Sequence, residues 1–180
     1  MNEGLIPRRY AKALYKTAVG RDCAERVYQL MLNLSAAYAA DPELVRTVAN
    51  PFVTPEDKKK LLVTAAGATD KDATFDDFVR LLEENRRLDM AGAIALAYAR
   101  YYRLQRDIRV VTVVSAAPLA PDMLARIKDL IGKHLDGAKM EFSTRVNPDL
   151  IGGFIINIDN ESLDASLERQ LKELRQSLLK

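Results

Sequence analysis

The hydrophobic period of the chain changes near residue 106, and this change constrains the fold more than any other feature. Before it, apolar residues such as Phe78 and Leu82 recur at the three- and four-residue spacing of helices. After it, Val110–Val114 is rich in β-branched residues, which is typical of a buried strand. We therefore expect a mainly α protein with a smaller α/β part, divided into domains at residues 1–105 and 106–180.

Capping residues and prolines mark helix starts within the first domain. Asp41-Pro42 and Thr54-Pro55 each place a side-chain acceptor directly before a proline, which suits the first helical position. Asp22, followed three residues later by a glutamate, resembles a capping box. Together with the apolar periodicity, these signals predict six helices packed as a bundle.

The second domain mixes the two periods. Alternation over Met140–Val146 predicts a strand, and Gly152-Gly153 leads into a second apolar run, Phe154–Ile158. Apolar residues between Met123 and Leu135 predict a helix. A leucine stripe predicts a C-terminal helix with one apolar face, made of Leu163, Leu167, Leu171, Leu174 and Leu178. We expect a small α/β domain.

Composition excludes several classes of protein. A net charge of +2 gives no strong signal for binding a polyanion, and one cysteine among 180 residues cannot form an internal disulfide. The longest apolar tracts are strand-sized, too short to cross a bilayer. The first residues lack a basic flank followed by an apolar core, so no signal peptide is expected.

The sequence offers few residues suited to catalysis or ligand binding. His134 stands alone at a predicted helix end, Cys23 has no nearby base, and Gly152-Gly153 lacks the spacing of a phosphate loop. We expect no catalytic residue, no cofactor and no metal, which favours an interaction protein. Two alternatives stay open: a thiol enzyme that uses Cys23, and an RNA- or ribosome-associated helical protein that uses the basic residues of the first helix, Arg8, Arg9, Lys12 and Lys16.

Four segments in order resemble one family, the delta subunit of F-type ATP synthase, whose mitochondrial relative is the oligomycin-sensitivity-conferring protein. The first is Arg9–Leu14, read as R-Y-A-K-A-L, and the second is Phe78–Leu88, read as F-V-R-L-L-E-E-N-R-R-L. The third is Val146–Phe154, read as V-N-P-D-L-I-G-G-F, and the fourth is Ile158–Leu167, which contains L-D-A-S-L. Asn147 stands where the family often has Asp, which removes no group that the function needs.

The resemblance implies a non-catalytic stator component without a cofactor. It implies that residues 1–105 grip the N-terminal helices of alpha subunits on the catalytic head, and that residues 106–180 meet the b-subunit stalk. It implies a peripheral position at the cytoplasmic face of a bacterial inner membrane, with membrane contact only through the complex and no role for nucleic acid. Proton transport would be coupled to ATP synthesis through this mechanical link.

The resemblance also directs attention to the first and fifth helices as a groove for a partner helix. We predict an apolar floor and walls from Tyr10, Ala11, Ala13, Leu14, Phe78, Val79 and Leu82. Asn85 and Arg86 would supply polar contacts at the rim. Plain core packing is the alternative for the larger apolar residues, and a helix-ending cap for Asn85 and Arg86. The later motif residues are predicted to be structural: Leu150, Ile151, Gly152, Gly153, Phe154, Asp164 and Ser166.

Overall fold

A computed structural model describes residues 4–135, 137–159, 161–167, 169 and 171. The chain divides into two compact units, Met1–Gln105 and Arg106–Lys180. The described residues are mostly helical, with one four-stranded mixed sheet. The prediction of a mainly α chain with a smaller α/β part is confirmed.

The described part of the first unit contains helices only. A short 3-10 helix, Leu88–Met90, directly precedes the last of them. The α-helices are α1 (Leu5–Gly20), α2 (Ala24–Ala40), α3 (Pro42–Ala49), α4 (Pro55–Ala66), α5 (Ala73–Glu84) and α6 (Ala91–Arg106).

Two of the three predicted helix caps are confirmed. The Asp41 carboxylate accepts hydrogen bonds from the backbone N–H groups of Glu43 and Leu44, and the Thr54 hydroxyl accepts one from Asp57. The capping box at Asp22 is wrong. Asp22 lies in the left-handed region with φ of 52°, α2 begins two residues later, and its N-cap residue Cys23 makes no side-chain cap bond.

Each helix of the first unit buries one apolar stripe. The most completely buried large side chains include Tyr98, Phe75 and Leu30. Tyr28 stacks on Tyr102 with ring centroids 4.2 Å apart, and the Tyr98 hydroxyl donates to the carbonyl of Ala24 at 3.3 Å. The core of this unit therefore combines aliphatic packing with stacked aromatic rings, and the Tyr98 hydroxyl finds its acceptor at the first residue of α2.

The second unit is built on the sheet. Its elements are β1 (Ile108–Ser115), α7 (Pro121–His134), β2 (Lys139–Val146), β3 (Gly153–Ile158) and β4 (Glu161–Ser166). The strand order is β2-β1-β3-β4, with β1 parallel to β2 and the other pairs antiparallel. Helix α7 makes the crossover that a parallel pair requires. The predicted strands and central helix of this domain are confirmed.

One face of the sheet carries the core of this unit. Val111 and Val113 of β1 pack with Ile156 of β3 against Ile127 and Ile131 of α7. The alternate β1 residues are half-buried, so the strand is covered unequally on its two faces. This explains why its apolar run is continuous while its deepest burial alternates.

The predicted C-terminal leucine helix is wrong at its start. Leu163 lies on β4 and pairs with Ile156 of β3. Only two residues separate the paired positions Ile158 and Glu161, and Asp159 adopts φ of 49°, which a tight hairpin favours. The Asp-Asn pair at 159–160 favours a hairpin, but the leucine spacing led to the prediction of a helix. Leu174 and Leu178 lie outside the described residues.

Candidate partner-binding surface

On α1 the predicted groove residues divide into two sets. Ala11 and Leu14 are buried, whereas Ala13 is exposed and Tyr10 is half-buried. Adjacent helical positions point in different directions, so these four residues cannot all face one partner. Of the four, Ala13 and the visible part of Tyr10 are open to a docking helix.

On α5 the predicted residues lie in the core. Phe78, Val79 and Leu82 are 4%, 1% and 0% exposed, so they present almost no surface in this conformation. Their period of three and four residues places them on the inner face of the helix. They support the shape of the surface from beneath, which corresponds to the core-packing alternative.

Asn85 and Arg86 are exposed directly after α5. The Asn85 amide Nδ2 donates to the carbonyl of Leu81 at 2.7 Å, which satisfies one of the free acceptors at the helix end. Arg86 lies in the left-handed region with φ of 55°. Asn85 therefore ends the helix, while Arg86 keeps its side chain open to solvent.

Arg87, which follows α5, contacts Tyr10 of α1. It was not among the predicted site residues. Its Nη1 atom donates to the Tyr10 hydroxyl at 3.1 Å, and its guanidinium carbon lies 5.5 Å from the centre of the Tyr10 ring. Both side chains are half-buried. The adjacent arginines of the N-R-R segment thus have different roles, a distinction that sequence alone does not make.

A second polar link joins the opposite end of α1 to α5. Arg21 Nη1 lies 2.8 Å from an Asp77 carboxylate oxygen and 3.3 Å from the Thr74 hydroxyl. The Asp77 carboxyl has a lowered pKa because of the hydrogen bond from Arg21, helped by the nearby charge of Arg80. Cys23 lies beside Thr74, with Sγ and Oγ1 3.3 Å apart. The neighbour of the thiol in this contact is a hydroxyl, which is not a general base.

Asp72 fixes the loop that leads into α5. Its carboxylate is buried and accepts two hydrogen bonds from Arg26, each 2.8 Å long, together with the N–H and hydroxyl of Thr69. These hydrogen bonds, with that from Arg26 the strongest, hold the pKa of Asp72 well below its usual range against the effect of burial. The loop between α4 and α5 is therefore tied to α2.

The predicted structural motif of the second unit is held by backbone contacts. Gly153 has φ of 82°, and a Cβ atom there would meet the carbonyl oxygen of Ala165 and lie 2.9 Å from the Cα of Ser166. The carbonyl of Gly152 accepts from the N–H of Leu167 at 3.0 Å. The absence of a side chain at Gly153 therefore allows β3 and β4 to approach closely.

The other motif residues lie near the point where β3 and β4 come close together. The Asp164 carboxylate accepts from the Ser166 N–H at 2.9 Å, and hydrogen bonding to Ser166 lowers the Asp164 pKa. Phe154 packs against the sheet core. Leu150 is half-buried in a turn, and Ile151 is 69% exposed. Ile151 is therefore the motif residue with most surface available.

Metal sites and membrane-spanning helices are the two other features to consider. Within the described ranges, no three His, Cys, Asp or Glu side chains come together as a metal site would require. Of the helices that the structure describes, none has the length and apolarity to cross a membrane. The fold defines the class as a mainly α protein with a small α/β unit.

Comparison with known proteins agrees with this class. The family description "ATP synthase delta (OSCP) subunit" matches residues 6–178. The chain is 35% identical to ATP synthase subunit delta of Parabacteroides distasonis, over 99% of this chain and 98% of the relative. It is 31% identical to ATP synthase subunit 5, mitochondrial, of Schizosaccharomyces pombe, over 94% of this chain and 79% of the relative.

A solved structure shares the fold. One chain of the Toxoplasma gondii mitochondrial ATP synthase hexamer superposes with a TM-score of 0.73 at 22% identity, covering 100% of this chain and 98% of that chain. With the sequence matches, this establishes the relationship: the chain belongs to the ATP synthase delta (OSCP) subunit family. That family is a non-catalytic stator component. The RNA- or ribosome-associated alternative is not supported, and the thiol-enzyme alternative does not fit a non-catalytic family.

Proposed function

We propose that this chain is the stator joint of an F-type ATP synthase, linking the alpha subunits of the catalytic head to the b-subunit stalk. The observation that carries the proposal is the family match over residues 6–178, which spans both units. In this assignment residues 1–105 act as a six-helix bundle on the head, and residues 106–180 bind the stalk.

The alpha-subunit contact is assigned to the face shared by α1, α5 and the turn after α5. Exposed Ala13 would allow close approach of a partner helix, because its side chain is small. Tyr10 and Arg87 form a preorganised pair at the edge, and Arg86 is free to meet a carboxylate of the partner. The buried residues Val79 and Leu82 hold this face in shape.

The stalk contact is assigned to apolar residues exposed near the end of the described chain. Leu163, Leu167 and Leu171 are 62%, 45% and 57% exposed. Burying side chains of this size against a stalk helix gives the slow dissociation that a joint under torque requires. The chain would then sit peripherally on the cytoplasmic face of a bacterial inner membrane, held there by its partners.

Binding to the head is tested by calorimetry with the full chain and a peptide of the cognate alpha-subunit N-terminus. We expect saturable binding that Ala13→Arg weakens about tenfold or more, since a long side chain would hold the helix away. Ala36→Arg is the matched control, because Ala36 is exposed on α2. Equal binding by all three proteins would remove the contact from this face.

The coupling role is tested in inverted membrane vesicles from a deletion strain. We expect proton-driven ATP synthesis to be lost and ATP hydrolysis by the released head to be intact, because the head remains catalytic but is no longer held against rotation. Complementation with the full chain should restore synthesis. Undiminished synthesis without the chain would refute the stator assignment.

A further inference from the structure

A cleft of about 570 Å³ lies between α1 and α6, on a different side of α1 from the face assigned to the alpha subunit. From α6 it is lined by residues at helical spacing: Ala93, Leu96, Ala97, Arg100, Tyr101 and Leu104. From α1 it is lined by Pro7, Arg8 and Lys12, and from the residue before this helix by Gly4. None of these positions was among the predicted site residues.

The middle of the cleft is apolar and uncovered. Leu96 and Leu104 are 54% and 74% exposed, and they lie two helical turns apart on α6. Ala93 and Ala97 lie beside them, one turn apart, and leave room for a second backbone. Exposed leucines beside small residues, repeated at helical spacing, match the apolar stripe of another helix.

An aromatic cluster holds one part of the cleft rigid. Tyr15 of α1 packs edge-on against Tyr101 at 5.3 Å and lies 6.3 Å from Tyr98, measured between ring centroids. Tyr101 also lines the cleft. A partner would therefore meet a preformed wall, which lowers the entropic cost of docking.

The charge around this cleft has one sign. Helices α1 and α6 carry seven Arg and Lys residues and no Asp or Glu. Three of the seven line the cleft, Arg8, Lys12 and Arg100. Among the residues that the structure describes, none of the three is paired with a carboxylate. The overall charge of +2 conceals this segregation, because the acidic residues of the first unit lie on other elements.

We propose that the α1–α6 cleft is a second helix-docking groove, whose occupant is an amphipathic helix with carboxylates on both sides of an apolar stripe. Leu96 and Leu104 would pack against the apolar stripe of that partner helix. Arg8, Lys12 and Arg100 would pair with the carboxylates on either side of the stripe. A phosphate backbone would use the basic residues but leave Leu96 and Leu104 uncovered, so a protein helix fits better than nucleic acid. The inference goes beyond the stator assignment and does not depend on it.

The test uses the full chain and a designed helical peptide of about 18 residues, long enough to span the cleft. The peptide has a leucine stripe flanked by glutamates on an alanine background, and a twin carries lysine at every glutamate. Binding is read by fluorescence anisotropy at moderate salt. We expect saturable binding of the glutamate peptide and at least about tenfold weaker binding of the lysine twin.

Two variants locate the site. Leu96→Asp should weaken binding of the glutamate peptide about tenfold or more. Leu61→Asp, at an exposed leucine on α4, should leave the affinity for this peptide unchanged. Arg100→Glu should weaken binding of the glutamate peptide and strengthen binding of the lysine twin. Circular dichroism confirms that each variant keeps its helices.

Several outcomes would overturn the proposal. No binding of the glutamate peptide by the folded chain would do so, as would equal binding of the two peptides. Loss of binding with Leu61→Asp would place the peptide elsewhere. Displacement of the peptide by single-stranded RNA, with binding that falls steeply with salt and is indifferent to Leu96→Asp, would assign the basic cleft to nucleic acid instead. No ATP synthase subunit enters the experiment, so its failure leaves the stator assignment intact.

Discussion

In the helical unit 24 buried apolar side chains lie between Ala11 and Tyr102, whereas in the described part of the sheet unit five lie between Val111 and Ile156. Removing one apolar contact from the first unit leaves most of its core packing in place. The second unit depends more on backbone pairing, where one position can block an entire strand pair. The two units should therefore differ in which kind of substitution damages them most.

Gly153→Ala should have the largest effect and should act on the sheet unit. The new Cβ would meet the backbone of β4 at Ala165 and Ser166, and alanine would have to adopt φ of 82°. We expect a loss of about 3 kcal/mol or more in the free energy of unfolding. Hydrogen exchange should show lost protection in β3 and β4, while α2 keeps its protection.

Gly152→Ala is the matched control for this prediction. Its Cβ would meet the side chain of Leu167, with Cδ1 at 2.7 Å, and Leu167 is 45% exposed and can turn away. The expected loss is below about 1 kcal/mol. If the two alanine variants were equally stable, strand approach at Gly153 would not control the sheet unit.

Asp72→Asn tests the main polar link of the helical unit. The substitution removes the charge that Arg26 and Thr69 bind, and we expect a loss of about 1 to 2 kcal/mol at pH 7, at the low end because Arg26 is half exposed. The pKa of Asp72 is lowered by folding. Its ionised form therefore stabilises the fold above the unfolded pKa of about 4, and this contribution is lost as pH falls through the folded pKa.

Urea denaturation of wild type and Asp72→Asn should accordingly give a smaller difference at pH 3 than at pH 7. Asp77→Asn is the control, because its pairs with Arg21 and Arg80 are solvent-exposed and should contribute little. A difference for Asp72→Asn that is independent of pH would show that packing, not charge, stabilises the loop.

Gly92→Ala tests close packing between α6 and α2. The new Cβ would lie 2.6 to 2.9 Å from ring atoms of Tyr38. Alanine favours the helix by about 1 kcal/mol, but the overlap should outweigh this and give a net loss of about 1 kcal/mol. In a Tyr38→Leu background the same substitution should become neutral or stabilising, which a double-mutant cycle by thermal unfolding would show. Additive effects would mean that the ring is not the obstacle.

The sequence predicted well what depends on a few neighbouring residues. Asp41 and Thr54 cap the helices that they were expected to cap, because a cap requires only a side chain and the next turn of backbone. The helix predicted to begin at Leu163 was wrong over the residues of β4, because leucines spaced at three and four residues resemble a helix although this segment is a strand. Pairing with β3 and the hairpin at Asp159 decided the outcome.

The candidate surface was harder to predict, because it depends on which helices become neighbours. Helical spacing identified Val79 and Leu82 as members of one stripe, but a stripe toward the core and a stripe toward a partner look the same in sequence. The link from Arg87 to Tyr10 spans 77 positions, and no local pattern indicates it. The basic residues of α1 and α6 can be seen in the sequence. They form one basic cleft only because the fold places the two helices side by side.

Tyr38→Phe should have the smallest effect and the opposite sign. The Tyr38 hydroxyl is buried and has no hydrogen-bond partner among the described residues. Removing it should be neutral or should stabilise the helical unit by about 0.5 kcal/mol, because an unsatisfied polar group no longer has to be desolvated. Burial first, and the charge of Asp89 second, raise the pKa of Tyr38 to about 12.

A raised folded pKa means that folding disfavours the tyrosinate relative to the neutral tyrosine. The stability of the fold is therefore fully present below the unfolded pKa of about 10 and is lost as pH rises toward 12. Wild type should therefore lose stability between pH 9 and 11 more steeply than Tyr38→Phe. Denaturant titrations at these two pH values measure the difference. A Tyr38→Phe variant that is less stable than wild type at pH 7 would show that the hydroxyl has a hydrogen-bond partner.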